Sequence, residues 1–169
     1  MNAVFRIFLA SLCCVFVVAS PARAEVINIG GQQGIWDAWS PLEVIFDAGS
    51  YTVTPVTQTT PGALYIAYNF GGGHGWGTGY GIALSKDDRK YYGPGSYATA
   101  EDAFANAVGA SFSIAQRQTV YFGVLDSYYG DNSGGVSLNI TAVPEPETYA
   151  LMLAGLGLLG FMARRKMTA

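Results

Sequence analysis

Asp126-Ser127-Tyr128-Tyr129-Gly130-Asp131-Asn132-Ser133-Gly134-Gly135 is the stretch of this chain with the densest chemistry. Three oxygen-bearing side chains, Asp126, Asp131 and Asn132, fall within seven positions, with backbone carbonyls between them. Hard oxygen donors gathered on a tight loop suit calcium, which takes ~6–8 oxygens in flexible geometry. The same residues also make an ordinary turn, because Asp, Asn, Ser and Gly all favour turn backbone without any metal. Both readings stand at this point.

Catalytic chemistry is harder to assemble. His74 is the single histidine, and the two cysteines, Cys13 and Cys14, lie in an N-terminal apolar run. A Ser-His-Asp or thiol site therefore lacks parts. Paired carboxylates would suffice for a glycosidase, with Asp126 and Asp131 as candidates, but no second feature supports this, and the chain is expected not to be an enzyme. Aromatic rings carry a binding expectation instead. Sugar C–H faces lie well on Trp and Tyr rings that keep a polar edge in water, and Trp76, Tyr80, Tyr91, Tyr92, Tyr128 and Tyr129 fall between the expected strands. Trp76, Tyr80 and Tyr129 are the candidate ligand contacts. Trp36 and Trp39 are expected in the core or at a sheet edge.

The elements that must position these residues read as β. Short apolar or alternating runs recur at Val26–Ile29, Leu42–Phe46, Tyr51–Val56, Ala63–Tyr68, Ala110–Ile114, Thr119–Leu125 and Val136–Thr141. In the last, Val136, Leu138 and Ile140 face one way and Ser137, Asn139 and Thr141 the other, the period of a half-buried strand. One helix is expected after Thr99, which can cap it, with Asp102 at the N3 position and Phe104 packing on the sheets. Residues 70–81 (FGGGHGWGTGYG) and 85–97 are expected to be loops. The fold class is all-β: an antiparallel β-sandwich or jelly roll with one short helix.

Both ends read as addresses. Arg6, an apolar stretch from Ile7 to Ala19, and Ala22-Arg23-Ala24 follow the order of a secretory signal peptide, cleaved before Glu25. Neither cysteine follows the small residue that a lipoprotein signal requires. The mature chain thus has no cysteine, and its body must hold together in an export compartment without disulfides. That body, residues 25–142, carries ten acids against four bases. Such an acidic body with no basic cluster argues against nucleic acid and anionic membrane as partners.

At the other end, Tyr149–Ala163 is a fifteen-residue apolar run followed by Arg164, Arg165 and Lys166. At ~1.5 Å per residue it makes a helix of about 22 Å, short against a bilayer core of ~30 Å. A marginal transmembrane helix with its basic end in the cytoplasm is expected. Gly155-Leu156-Gly157-Leu158-Leu159-Gly160 spells the dinucleotide fingerprint, but no acidic residue follows, so its context is wrong. Small residues packing against a membrane helix account for it better.

Pro144-Glu145-Pro146, then the apolar helix, then Arg164-Arg165-Lys166, resembles the PEP-CTERM sorting signal of Gram-negative, exopolysaccharide-producing bacteria. The resemblance implies recognition by an exosortase, a membrane processing enzyme, and delivery to the cell surface or extracellular matrix. The expected organisation is a signal peptide over 1–24, a β-sandwich over 25–142 and a sorting signal over 143–169. The 126–135 loop and the strand after it are also similar to the calcium-dependent galactose-binding lectins of bacteria, a jelly-roll family. That resemblance implies calcium held by Asp126, Asp131, Asn132 and the Tyr128 carbonyl, with sugar hydroxyls at the same site. The loop departs from the family: its gap is two residues shorter, and Asp131 stands where an Asn-type residue is usual. The functional expectation is an exported binding module, with calcium-dependent carbohydrate binding the first reading of its activity. The alternative is a structural exopolysaccharide matrix component with no specific ligand.

Overall fold

The structure, a computed structural model, describes residues 24–35, 39–144 and 152–158. Ten strands occur among them: β1 (Ala24–Gly30), β2 (Leu42–Phe46), β3 (Gly49–Val56), β4 (Tyr68–Asn69), β5 (Trp76–Gly77), β6 (Tyr80–Ala83), β7 (Arg89–Tyr92), β8 (Ala110–Ile114), β9 (Gln118–Val124) and β10 (Ser133–Val143). A single helix of the body, α1 (Ala100–Ala105), lies between β7 and β8. All pairings between these strands are antiparallel. They form a six-stranded and a four-stranded sheet, so the all-β expectation holds.

β10 is the spine of the larger sheet. Over Ser137–Thr141 it is paired with both β1 and β3, while its first residues, Ser133 and Gly134, pair with β4. The smaller sheet runs β2-β9-β6-β7. Period-2 alternation explains how the two sheets meet. Val136, Leu138 and Ile140 of β10 and Val120, Phe122 and Val124 of β9 are all essentially inaccessible to water. They join Ile27, Ile29, Val53, Phe112 and others in one apolar core. Inside it Phe46, Phe112 and Phe122 meet at centroid separations of 5.5 to 6.1 Å, tilted or edge-on, arrangements that suit the ring quadrupole.

Three segments depart from the sequence reading. Residues 63–67 are not a strand. They pass over the outer face of the large sheet, where the Ser137 hydroxyl accepts from Leu64 N and Tyr65 N and donates to Asn28 Oδ1. A polar row on a sheet's second face found a loop to satisfy it instead of water. The glycine-rich 70–81 stretch, expected as a loop, contributes β5 and β6, and 85–97 contributes β7. In α1 the Thr99 cap forms as expected, its Oγ1 accepting from Asp102 N at 3.0 Å. However, Ala103 is the residue buried there and Phe104 is only half-buried.

Residues 33–35, with Trp39, bring part of the outer face of the smaller sheet under cover. Ile35 lies over Gly81 and Gly123, fully buried, and forms a second small core with Ala83 and Leu125. Trp39 packs on Tyr121 at 5.1 Å, with the Arg89 guanidinium 5.0 Å and the Lys86 ammonium 5.7 Å from its ring centre. Trp39 is thus half-buried on a sheet face; Trp36 lies outside the described residues.

Burial raises the pKa of two phenols in this fold. Burial pushes the Tyr68 hydroxyl well above the usual tyrosine range, and the nearby Asp126 charge adds to this. Burial, with Tyr92 beside it, does the same to Tyr80. The folded state therefore keeps two protons that an unfolded chain gives up near pH 10. Stability is expected to be undiminished below that pH and to fall as pH rises beyond it. Denaturant midpoints taken between about pH 9 and 12 check this, and a flat profile contradicts it.

The two ends of the chain are described only in part. The expected signal peptide lies outside the described residues apart from Ala24, which heads β1. Within the expected C-terminal helix, residues 152–158 are helical and exposed. Among the described residues, no helix is long and apolar enough to cross a membrane.

Candidate functional site

The chain leaves β9 at Val124, and Leu125 fixes the exit. Its amide donates to the Gly79 carbonyl at 3.2 Å, and its carbonyl accepts from the buried Tyr68 hydroxyl at 2.9 Å. Asp126 then turns the chain, its Oδ1 accepting from Ser127 N at 2.6 Å. A carboxylate that bonds the amides just after it imitates a backbone turn. A single 3-10 turn follows over Tyr129–Asp131. Tyr129 anchors that turn, its ring buried against Gly34. Asn132, 6% exposed, donates from Nδ2 to the Gly31 carbonyl at 2.9 Å and leads into β10.

This loop forms one wall of a cleft of about 490 Å³, contributing Asp126, Ser127, Tyr128 and Asp131. The facing wall comes from Phe70, His74 and Ser96. The β4–β5 connection carries the first two, and is held by Phe70 N to Gly75 O at 3.0 Å and His74 N to Gly71 O at 2.9 Å. Gly71 has φ +71°, and a Cβ there would run into the Asp131 carboxylate. The glycine both permits the left-handed turn and lets the two walls close on each other. Ser96 arrives because Tyr97 pairs with Trp76 through two 2.8 Å bonds, which also lets the Ser96 hydroxyl donate to the His74 carbonyl.

The four residues expected around a cation thus lie on one loop, with Asp126, Tyr128 and Asp131 on the cleft wall and Asn132 buried beside Gly31. Among the described residues two buried side-chain atoms lack a hydrogen-bond partner, Asp126 Oδ2 and Asn132 Oδ1. No three His, Cys, Asp or Glu side chains converge as a metal-holding group among the described residues. Any cation here would therefore draw on amide and carbonyl oxygens besides carboxylates.

The expected aromatic contacts are placed differently. Tyr80, read from sequence as a loop ring, is a core residue of β6 with its hydroxyl donating to the Val108 carbonyl at 3.0 Å. Tyr129 is 7% exposed and packs under the loop. Trp76 is half-buried in β5. None of the three lines the cleft, because each sits at an inward or paired position of an element the sequence had hidden among glycines. Tyr128, 68% exposed, is the ring that does reach the cleft. His74, Phe70 and Ser96 were not singled out as site residues from sequence. The only signal for His74 was its place among the glycines, and none existed for Ser96.

No curated protein and no solved structure matches the chain, so the lectin resemblance gains no support from relatives. Residues 142–166 match the model of the PEP-CTERM protein-sorting motif, which implies export, processing by an exosortase and sorting to the cell surface or extracellular space.

Proposed function

We propose that the body is a binding module, displayed at the surface or in the matrix of a Gram-negative bacterium, that takes carbohydrate in a calcium-dependent way. The observation that carries this reading is the pair of partnerless buried oxygens, Asp126 Oδ2 and Asn132 Oδ1. A buried acceptor with no donor costs about 1–3 kcal/mol, more if charged. Two such acceptors within one seven-residue loop, beside the Asp131 carboxylate, favour a cation over chance. Asp126, Asp131, Asn132 and the Tyr128 carbonyl would hold it, a hard oxygen set suited to calcium. When bound, the ion would supply positive charge for polar oxygens of a ligand. The exposed Tyr128 ring on one wall, with Phe70 and His74 on the other, offers flat surfaces for sugar C–H faces. The reading is one of binding without turnover.

Calcium is expected to raise the melting temperature of the Glu25–Ala142 body. Binding to the native state adds RT ln(1 + [L]/Kd), about 2.7 kcal/mol at a hundredfold excess over Kd. Asp126→Ala is expected to abolish the shift while leaving export untouched. A body that melts identically in millimolar calcium and in chelator discards the metal, and a glycan array without hits then favours a structural matrix component. Tyr128→Ala is expected to weaken glycan retention by about tenfold, the loss of one stacked ring, without moving the calcium shift.

A further inference from the structure

The sorting motif and the folded body overlap. The match begins at residue 142, yet Ala142 and Val143 are the last residues of β10, paired with Tyr51 and Ser50 of β3. One residue earlier, Thr141 is opposite both Thr52 and Ala24, and its carbonyl accepts from Thr52 Oγ1 at 3.3 Å. Pro144 follows immediately; having no N–H, it cannot extend the ladder. No spacer separates the sheet from the recognised segment.

A processing enzyme binds its substrate as an extended strand, using the same backbone N–H and C=O groups that a sheet uses. Ala142 and Val143 lie within the ladder to β3, where alternate residues already give both groups to the partner strand. Cleavage of a closed structure goes through its locally open form, and when opening is fast the rate follows the open population. We propose that the exosortase takes this chain only when Thr141–Val143 have come away from Ser50–Thr52, so that the closed sheet end restrains processing. The proposal rests on the sorting reading. In the step itself one peptide bond breaks, the acyl carbon passes to water or an amine, and the departing tail gains a proton at its new amino terminus.

The sheet end can be opened or locked without touching Pro144–Pro146. Inserting Gly-Ser-Gly-Ser-Ala-Val between Val143 and Pro144 keeps an Ala-Val pair before the prolines while freeing it from β3. Ser50→Cys with Val143→Cys places two thiols on directly opposed positions, the first half-buried and the second exposed, the spacing a disulfide accepts, in a compartment that forms it. Full-length chains are pulse-labelled in the producing bacterium, and loss of the C-terminal tail is followed by mass. The insertion is expected to speed tail loss at least about threefold, and the disulfide to slow it at least about tenfold, with a permeant reductant restoring the rate. Each single cysteine variant is expected to be processed like the parent. A chain verified as disulfide-linked that loses its tail at the parental rate overturns the proposal. If the parent chain never loses its tail, the sorting reading falls and the proposal with it.

Discussion

Phe122→Ala is expected to remove a third or more of the stability of the body. The ring is fully buried in β9, between Leu42 of β2 and Ile82 of β6 in the sheet. It closes an aromatic group with Phe46 and Phe112, to which Tyr51 adds a ring stacked on Phe112 at 5.1 Å. Truncating a buried Phe costs about 3–5 kcal/mol, because transfer energy is lost and a cavity remains. Domains of this size have only about 5–15 kcal/mol in hand, and the body has no cysteine to staple it. Equilibrium denaturation should show the midpoint falling by a third or more. Tyr121→Ala, the next residue but on the opposite face against Trp39, should cost less than half as much. Equal losses at the two positions would mean that the core does not lie between the sheets.

Gly123→Ala is the second large effect expected, although it adds only one methyl group. A Cβ at this position would stand 2.8 Å from the Gln33 carbonyl oxygen, the Ile35 amide nitrogen and the Ile35 Cβ. Two of these three are backbone atoms that no rotamer change can move. The covering segment has to lift, losing the 2.9 Å bond from Val124 N to Gln33 O and uncovering Ile35. Overpacking of this kind costs about 1–3 kcal/mol, and re-exposing an Ile side chain about 1.5–3 more. Ser113→Ala, on an exposed hydroxyl pair with Ser50, should be nearly neutral by comparison. Denaturation midpoints for the two variants check the contrast, and a neutral Gly123→Ala would refute the close approach of residues 33–35 to β9.

These two positions also mark what was legible in the sequence. Phe122 was visible because Val120, Phe122 and Val124 alternate with Tyr121, and alternation is a local signal. The same holds for Val136, Leu138 and Ile140, and for Thr99, whose cap bond spans only three residues. Gly123 and Gly81 were illegible. Glycine reads as a strand breaker, yet in this fold it makes the floor on which Ile35 lies, a contact decided by chain 46 residues from Gly81 and 88 from Gly123. Residues 63–67 misled for the opposite reason: their apolar run satisfies strand patterning, but the Ser137 hydroxyl captures their amides. At the cleft the 126–132 loop was legible because Asp126 and the 3-10 turn act locally. The facing wall was not, since Ser96 reaches His74 only through the Trp76–Tyr97 pairing.

β10 begins one residue past Asn132, beside the cleft, and ends at Val143, where the sorting sequence starts. Eleven residues at about 3.3 Å each separate the two by roughly 33 Å. On the proposed reading, a chain tethered through its C-terminal end holds its ligand a full strand away from the point of attachment, and a long polymer caught there need not thread past the tether.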